Sequence, residues 1–239
     1  MNAERHAQLV QFLEAQGLRP SPSWPAAALE PLDAALTHTS AGLSINHEKL
    51  EFLGDAVLRL AASEFLESQA PALSVGQASA LRAQLVSDRW LADLGGRIGI
   101  DGFLRIGPMA AGDETGRATL RAEACEACIG ALYRIWGDLS PVQQWLSPHW
   151  LETLKLFEQD PHLHNWKSAL QEWSQGAKRG LPTYLCEERS QRHGDPERFF
   201  CQVNLGETPL GEGWGGSRRQ AEQAAARSAL ARVKPARAS

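Results

Sequence analysis

The sequence predicts an all-α domain followed by a smaller α+β domain of order α-β-β-β-α. Three observations carry that prediction. Through residue 155, apolar residues recur at helical spacing. From Asn165 the texture changes: a helical stripe of Trp166, Leu170 and Trp173 is broken at Pro182, and β-rich runs follow at Thr183–Ser190 and Arg198–Asn204. The net charge of −4 also hides an asymmetry, with 12 Lys and Arg against 19 Asp and Glu over residues 1–159, then 12 against 9 over residues 160–239. An acidic front and a basic back suggest two modules with different tasks.

The chain of 239 residues is long enough for one large domain or two small ones. It has no run of eighteen apolar residues and therefore no expected transmembrane helix. Its first residues, Met1 to His6, lack the basic and apolar regions of a secretion signal, so a cytoplasmic location is expected. In that compartment the four cysteines read as reduced thiols, and Cys186 and Cys201 as cross-strand neighbours that pack without a bridge. The overall charge argues against nucleic-acid binding, and the small basic excess at the back is weak evidence for it unless the charges cluster.

In chain order, residues 3–16 read as a helix stopped by Gly17, and the prolines at 20, 22 and 25 as an extended loop. A second helix spans 30–38, with Pro31 tolerated in its first turn. The stretch that organises the chain runs from Asn46 to Leu58. Leu50, Leu53, Val57 and Leu58 trace its apolar side. Glu48, Glu51 and Asp55 fall at i, i+3 and i+7, within about 60° of one another on a helix. Stacked like charges repel, and only Lys49 lies near in sequence to offset them. A hard divalent cation such as Mg²⁺ is one answer; a solvated acidic helix face is the other. Gly54, costly inside a helix, implies close approach by another segment.

Two further helices are expected over 76–95 and part of the region to 103, with Leu81, Leu85, Leu91 and Leu94 inward. Residues 107–117 read as a loop of small residues. The helix Ala122–Tyr133 sets Glu123 and Glu126 one turn apart on one face, with Cys125 and Cys128 as buried thiols rather than a zinc or redox pair. Residues 141–155 read as the last helix of the front module, interrupted near Pro148, and Gln159–Pro161 as the linker. At the back, Gly211–Trp214 ends a third strand and Ser217 caps an Ala-rich helix from Arg218 to Leu230.

The run Asn46–Leu58 resembles the signature helix of the ribonuclease III family, Asn-Glu-x-Leu-Glu-Phe-Leu-Gly-Asp-x-Val-Leu, position for position apart from His47, inserted between Asn46 and Glu48. Ala122–Tyr133 is similar to that family's second acidic helix, with Glu123 where Asp is usual. Val75 stands where a glutamate is usual. His38, in the family's Thr-His-x-Ser tetrapeptide, reads as a structural histidine at a helix end. The back module resembles the double-stranded-RNA-binding domain, with Leu181–Tyr184 and Gly215–Arg219 as landmarks.

The resemblance implies a nuclease domain over 1–156, a linker over 157–161 and a double-stranded-RNA-binding domain over 162–235. It implies a metal site of Glu51, Asp55, Glu123 and Glu126, with Asp55 and Glu126 catalytic, Glu48 one turn away contacting RNA or water, and Mg²⁺ as the cofactor with Mn²⁺ able to substitute. Gln171, Glu172, His193, Ser217, Arg218 and Arg219 are the implied contacts to RNA, and Phe52 the contact of a homodimer. The activity implied is Mg²⁺-dependent hydrolysis of double-stranded RNA to 5′-phosphate and 3′-hydroxyl ends, in the processing of ribosomal, messenger and transfer RNA precursors, with no small-molecule cofactor and no membrane. The alternative is a non-cleaving double-stranded-RNA-binding protein with a degenerate nuclease site.

Overall fold

A computed structural model describes residues 1–113, 116–159, 166–192 and 194–233. Two compact units result, Met1–Lys155 and Leu156–Ser239.

The first unit is helical. Helix α1 (Ala3–Ala15) starts where the Asn2 side chain accepts the Arg5 N–H, and the chain turns out of it at Gly17, in the left-handed region at φ 75°. A 3-10 turn (Ala26–Leu29) leads into α2 (Glu30–Ala35), with Pro31 in its first turn. Helix α3 (Glu48–Gln69) buries Leu50, Val57, Leu58, Ala61, Ala62, Phe65 and Leu66. Helices α4 (Val75–Leu85) and α5 (Asp88–Arg97) are capped by Ser74, in a reciprocal capping box with Gln77, and by Ser87. The predicted inward leucines 81, 85, 91 and 94 are all fully buried. One turn, α6 (Pro108–Ala111), lies in the expected small-residue loop, and α7 (Arg117–Trp136) carries the second acidic pair.

Helix α8 (Ser140–Gln159) corrects an expectation: it runs through Pro148 without a break. Proline inside a helix costs about 3 kcal/mol. Burial of Val142, Trp145, Leu146, Trp150 and Leu154 on one face offsets that, at about 1.5–3 kcal/mol for each large apolar chain. Trp145 meets Phe12 edge-on and Trp150 lies 5.2 Å from Phe65.

The position of Gly54 is explained by α7. A Cβ on Gly54 would fall 1.8 Å from the Glu126 carbonyl oxygen, and one on Gly130 would fall 2.2 Å from that of Leu50. The two glycines let α3 and α7 touch backbone to backbone.

The second unit comprises α9 (Trp166–Gly176), β1 (Pro182–Glu188), β2 (Phe199–Leu205), β3 (Thr208–Gly215) and α10 (Arg218–Val233). The strands form an antiparallel sheet of order β1-β2-β3. Gly211, Gly213 and Gly215 occur at every second residue of β3, facing Ala221, Ala225 and Ala229 at every fourth of α10. A Cβ at any of the three would lie 2.2–2.6 Å from an α10 atom. Leu170, Cys201, Val203 and the α10 alanines make the core.

Here a second expectation is corrected. Cys186 and Cys201 are joined as a disulfide. They stand directly opposite in the β1–β2 register with Cα atoms 4.0 Å apart, which brings their thiols together on the helix-facing side. Cys125 and Cys128 are free and fully buried, as expected.

Candidate metal centre and nucleic-acid interface

Residues 36–38 are held beside Arg105: the Arg105 N–H donates to the Leu36 carbonyl and the His38 N–H to the Arg105 carbonyl. The buried Thr37 carbonyl in turn accepts the backbone N–H of His47, at the N-cap of α3. That network sets His38 and His47 side by side, rings stacked at 4.9 Å, against the first turns of α3 and the acidic face of α7.

Glu51 and Asp55 on α3, and Glu123 and Glu126 on α7, are all partly buried. The Glu126 carboxyl is pushed up to about 7, chiefly by burial and then by the charges of Asp55, Glu51 and Asp88. Glu51 is also raised, by burial first and by Glu123 next. These mutual effects place the carboxylates of both helices in one another's field. The donors are all oxygen, the set a hard cation such as Mg²⁺ takes, and the repulsion among them is what such an ion relieves. Glu48 lies exposed at the start of α3, close enough to raise Glu51 further.

Sequence reasoning missed three groups here. Arg59 holds Asp55 through Nε and Nη2 at 2.8–3.1 Å. His47, read only as an insertion, places Nε2 3.2 Å from Glu51 and 3.7 Å from Glu123. Asp88, the first residue of α5, adds negative charge to Glu126 and Arg59. The first two were readable, since Asp55–Arg59 and His47–Glu51 are i, i+4 pairs. His38 has Nδ1 bound to Ser40 and its Nε2 facing Glu123 at 3.7 Å, and His38, His47 and Glu123 bring ligand atoms within 4.8 Å of one another.

In the second unit, Ser217 caps α10 by accepting the Gln220 N–H, and the Gln220 side chain accepts the Ser217 N–H. Ser217 and Gln220 thus form a capping box. Arg218 and Arg219 project from the first turn into solvent, Arg218 lying 3.6 Å from Glu222. An open groove of about 550 Å³ runs between Gly194–Pro196 and Trp214–Gln220. Gln171 and Glu172 are exposed on α9. His193 lies outside the described residues.

Comparison with known proteins decides the family. The Ribonuclease-III-like family matches residues 30–141 and the double-stranded RNA binding motif residues 166–233. "Ribonuclease 3" of Prochlorococcus marinus is 53% identical over 205 residues, covering 86% of this chain and 82% of that protein. The chain belongs to the ribonuclease III family. "Ribonuclease 3 2" of Synechocystis sp. is 48% identical over 83% of this chain and 81% of its own length. The solved nuclease domain of Campylobacter jejuni ribonuclease III is 27% identical, with a TM-score of 0.49, over 64% of this chain and 97% of that one.

Proposed function

We infer that this chain is an endoribonuclease that hydrolyses double-stranded RNA to 5′-phosphate and 3′-hydroxyl ends, with Glu51, Asp55, Glu123 and Glu126 holding Mg²⁺ and Asp55 and Glu126 closest to the chemistry. The observation that carries this reading is the close approach of the two acidic helices at Gly54 and Gly130, with Glu126 raised to about 7 by burial first and by the charges of Asp55 and Glu51 next. When bound, divalent ions supply an activated water and stabilise charge on the attacking and leaving oxygens. The chain's own residues do the rest. Arg59 orients Asp55. His38, its Nδ1 occupied by Ser40, turns Nε2 towards Glu123. Glu126, raised to about 7, is partly protonated at neutral pH, and a cation held beside it would favour its charged form. Glu48, exposed on the same face, contacts RNA or ordered water.

The second unit presents duplex RNA to that centre. Duplex RNA offers 2′-hydroxyls across a shallow minor groove and phosphates across the narrow major groove. Gln171 and Glu172 meet the first, His193 enters the next groove, and Ser217, Arg218 and Arg219 take the phosphates, where the α10 dipole adds to their charge. Domain limits of 1–156 and 162–235, joined by 157–161, fit this division of labour. Phe52, on α3 and 85% exposed, supports a homodimer built on that helix. No described helix is long and apolar enough to cross a membrane, which fits a cytoplasmic enzyme acting on structured RNA precursors. The non-cleaving alternative gains nothing from position 123, where the carboxylate is retained.

A gel tests the reading. The purified chain with a perfect RNA duplex should cut it in Mg²⁺ and not in chelator, and Glu126→Gln should bind the duplex without cutting it. Binding with no scission by excess wild-type protein in Mg²⁺ or Mn²⁺ rejects the enzyme.

A further inference from the structure

We propose that Arg59 is a tethered competitor of the divalent ion for Asp55, a positioning residue that raises the ion concentration at which the carboxylates of α3 and α7 fill. The proposal rests on the carboxylate reading above and concerns how tightly that group takes its ion.

Arg59 and Asp55 lie one turn apart on α3, and the guanidinium meets both carboxylate oxygens. Nε lies 3.0 Å from Oδ1 and 3.1 Å from Oδ2, and Nη2 lies 2.8 Å from Oδ1. A guanidinium does not give up its charge inside a protein. A hard cation binds a carboxylate oxygen at about 2.0–2.1 Å. On either oxygen of Asp55 it would therefore stand no more than about 5 Å from a guanidinium nitrogen, whatever its direction of approach. Like charges at that separation repel, so the ion either binds more weakly or displaces Arg59.

Displacement is open to Arg59. Its side chain is 58% exposed and that of Asp55 43%, so solvent can take up the released guanidinium. The helix keeps it within reach of Asp55, to which it returns when the ion leaves. Glu126 and Asp88 also act on Arg59, which sets the guanidinium in the same negative field that attracts the ion. Arg59 thus offsets part of the repulsion among the carboxylates, and an ion gains correspondingly less by binding there.

A purely orienting role has the opposite sign. If Arg59 served only to hold Asp55 in a ligating geometry, its removal would free the carboxylate to rotate and would weaken ion binding. If it competes, its removal tightens binding. Because the competition is one of charge, it acts alike on Mg²⁺ and Mn²⁺, unlike a change of ligand type.

The test is ion binding by the full, metal-free chain without RNA at pH 8, above the value of about 7 at which Glu126 titrates. Mn²⁺ is followed by the loss of its free-ion electron spin resonance, and Mg²⁺ by competition against it. Arg59→Gln should bind both ions about three- to tenfold tighter than wild type, the range expected on losing an exposed but forked ion pair. Arg59→Lys, which keeps the charge, should stay closer to wild type than Arg59→Gln does. Arg82→Gln controls for charge at a distance. Arg82 is exposed on α4 and donates to Ser63, one turn beyond Arg59 on α3, and its loss should change ion affinity less than about twofold. Equal or weaker binding by Arg59→Gln overturns the proposal, as does a gain confined to one ion. So does an equal gain in Arg82→Gln, or in Arg59→Lys. If neither the wild-type chain nor Arg59→Gln binds an ion, the carboxylate reading itself is rejected and the proposal falls with it.

Discussion

The charge of Glu126 at neutral pH opposes folding, so Glu126→Gln should stabilise the metal-free protein while abolishing cleavage. The carboxyl titrates at about 7 in the folded chain against an ordinary 4.5. Between those values the native state holds more protons than the unfolded one. Stability therefore rises as pH falls from about 7 to about 4.5, and the penalty is fully present above 7. A shift of that size corresponds to at most about 3 kcal/mol. Solvent reaches part of the side chain and screens it, which reduces the expected effect to about 1–2 kcal/mol. In chelator at pH 8, urea unfolding of the helical unit should favour the glutamine variant by that amount, and the difference should vanish near pH 4.5. Saturating Mg²⁺ should reverse the order, because only the wild-type cage gains from the ion. A variant less stable than wild type in chelator at pH 8, or a difference independent of pH, would refute the reasoning.

Gly130→Ala should destabilise the first unit by about 1–3 kcal/mol despite alanine's better helix propensity, since its Cβ would fall 2.2 Å from the Leu50 carbonyl oxygen; a denaturation midpoint at or above wild type contradicts this. Arg218→Ala with Arg219→Ala should weaken duplex binding and lower the salt slope by about 2, measured by filter binding at several salt concentrations. An unchanged slope would remove the pair from the phosphate interface. Phe52→Glu should yield monomers in sedimentation if Phe52 closes the dimer, and a persistent dimer shifts the contact elsewhere.

Much of this was legible because local rules and tertiary packing agree. The leucines at 81, 85, 91 and 94 lie at helical spacing and are buried, and Ser217 precedes α10 as a cap should. The misreadings share a cause, since each needed knowledge of what faces the residue across space. Pro148 looks like a break until the two buried tryptophans on the same helix are seen. Cys186 and Cys201 are fifteen residues apart, and only the strand register makes them opposite. His47 looked like an insertion because its partner Glu123 lies seventy-six residues away, on another helix.

Both units use glycine for the same purpose, and the purpose explains where stability and function part. Gly54 against Gly130 brings two helices to backbone contact, and the three β3 glycines do the same for a sheet and α10. In the second unit close contact buries alanines and adds to the core. In the first it also drives acidic groups together, and the repulsion must be offset by the apolar stripe beside it. Leu50, Val57 and Leu58 on α3 and Ile129 and Leu132 on α7 are all buried. At about 1.5–3 kcal/mol for each such chain, that stripe outweighs a penalty of about 1–2 kcal/mol at Glu126. The helix pair can therefore hold its carboxylates together before any ion arrives. Carboxylates held together in this way would bind a cation without first having to fold around it, and the repulsion they store would favour the ion that relieves it.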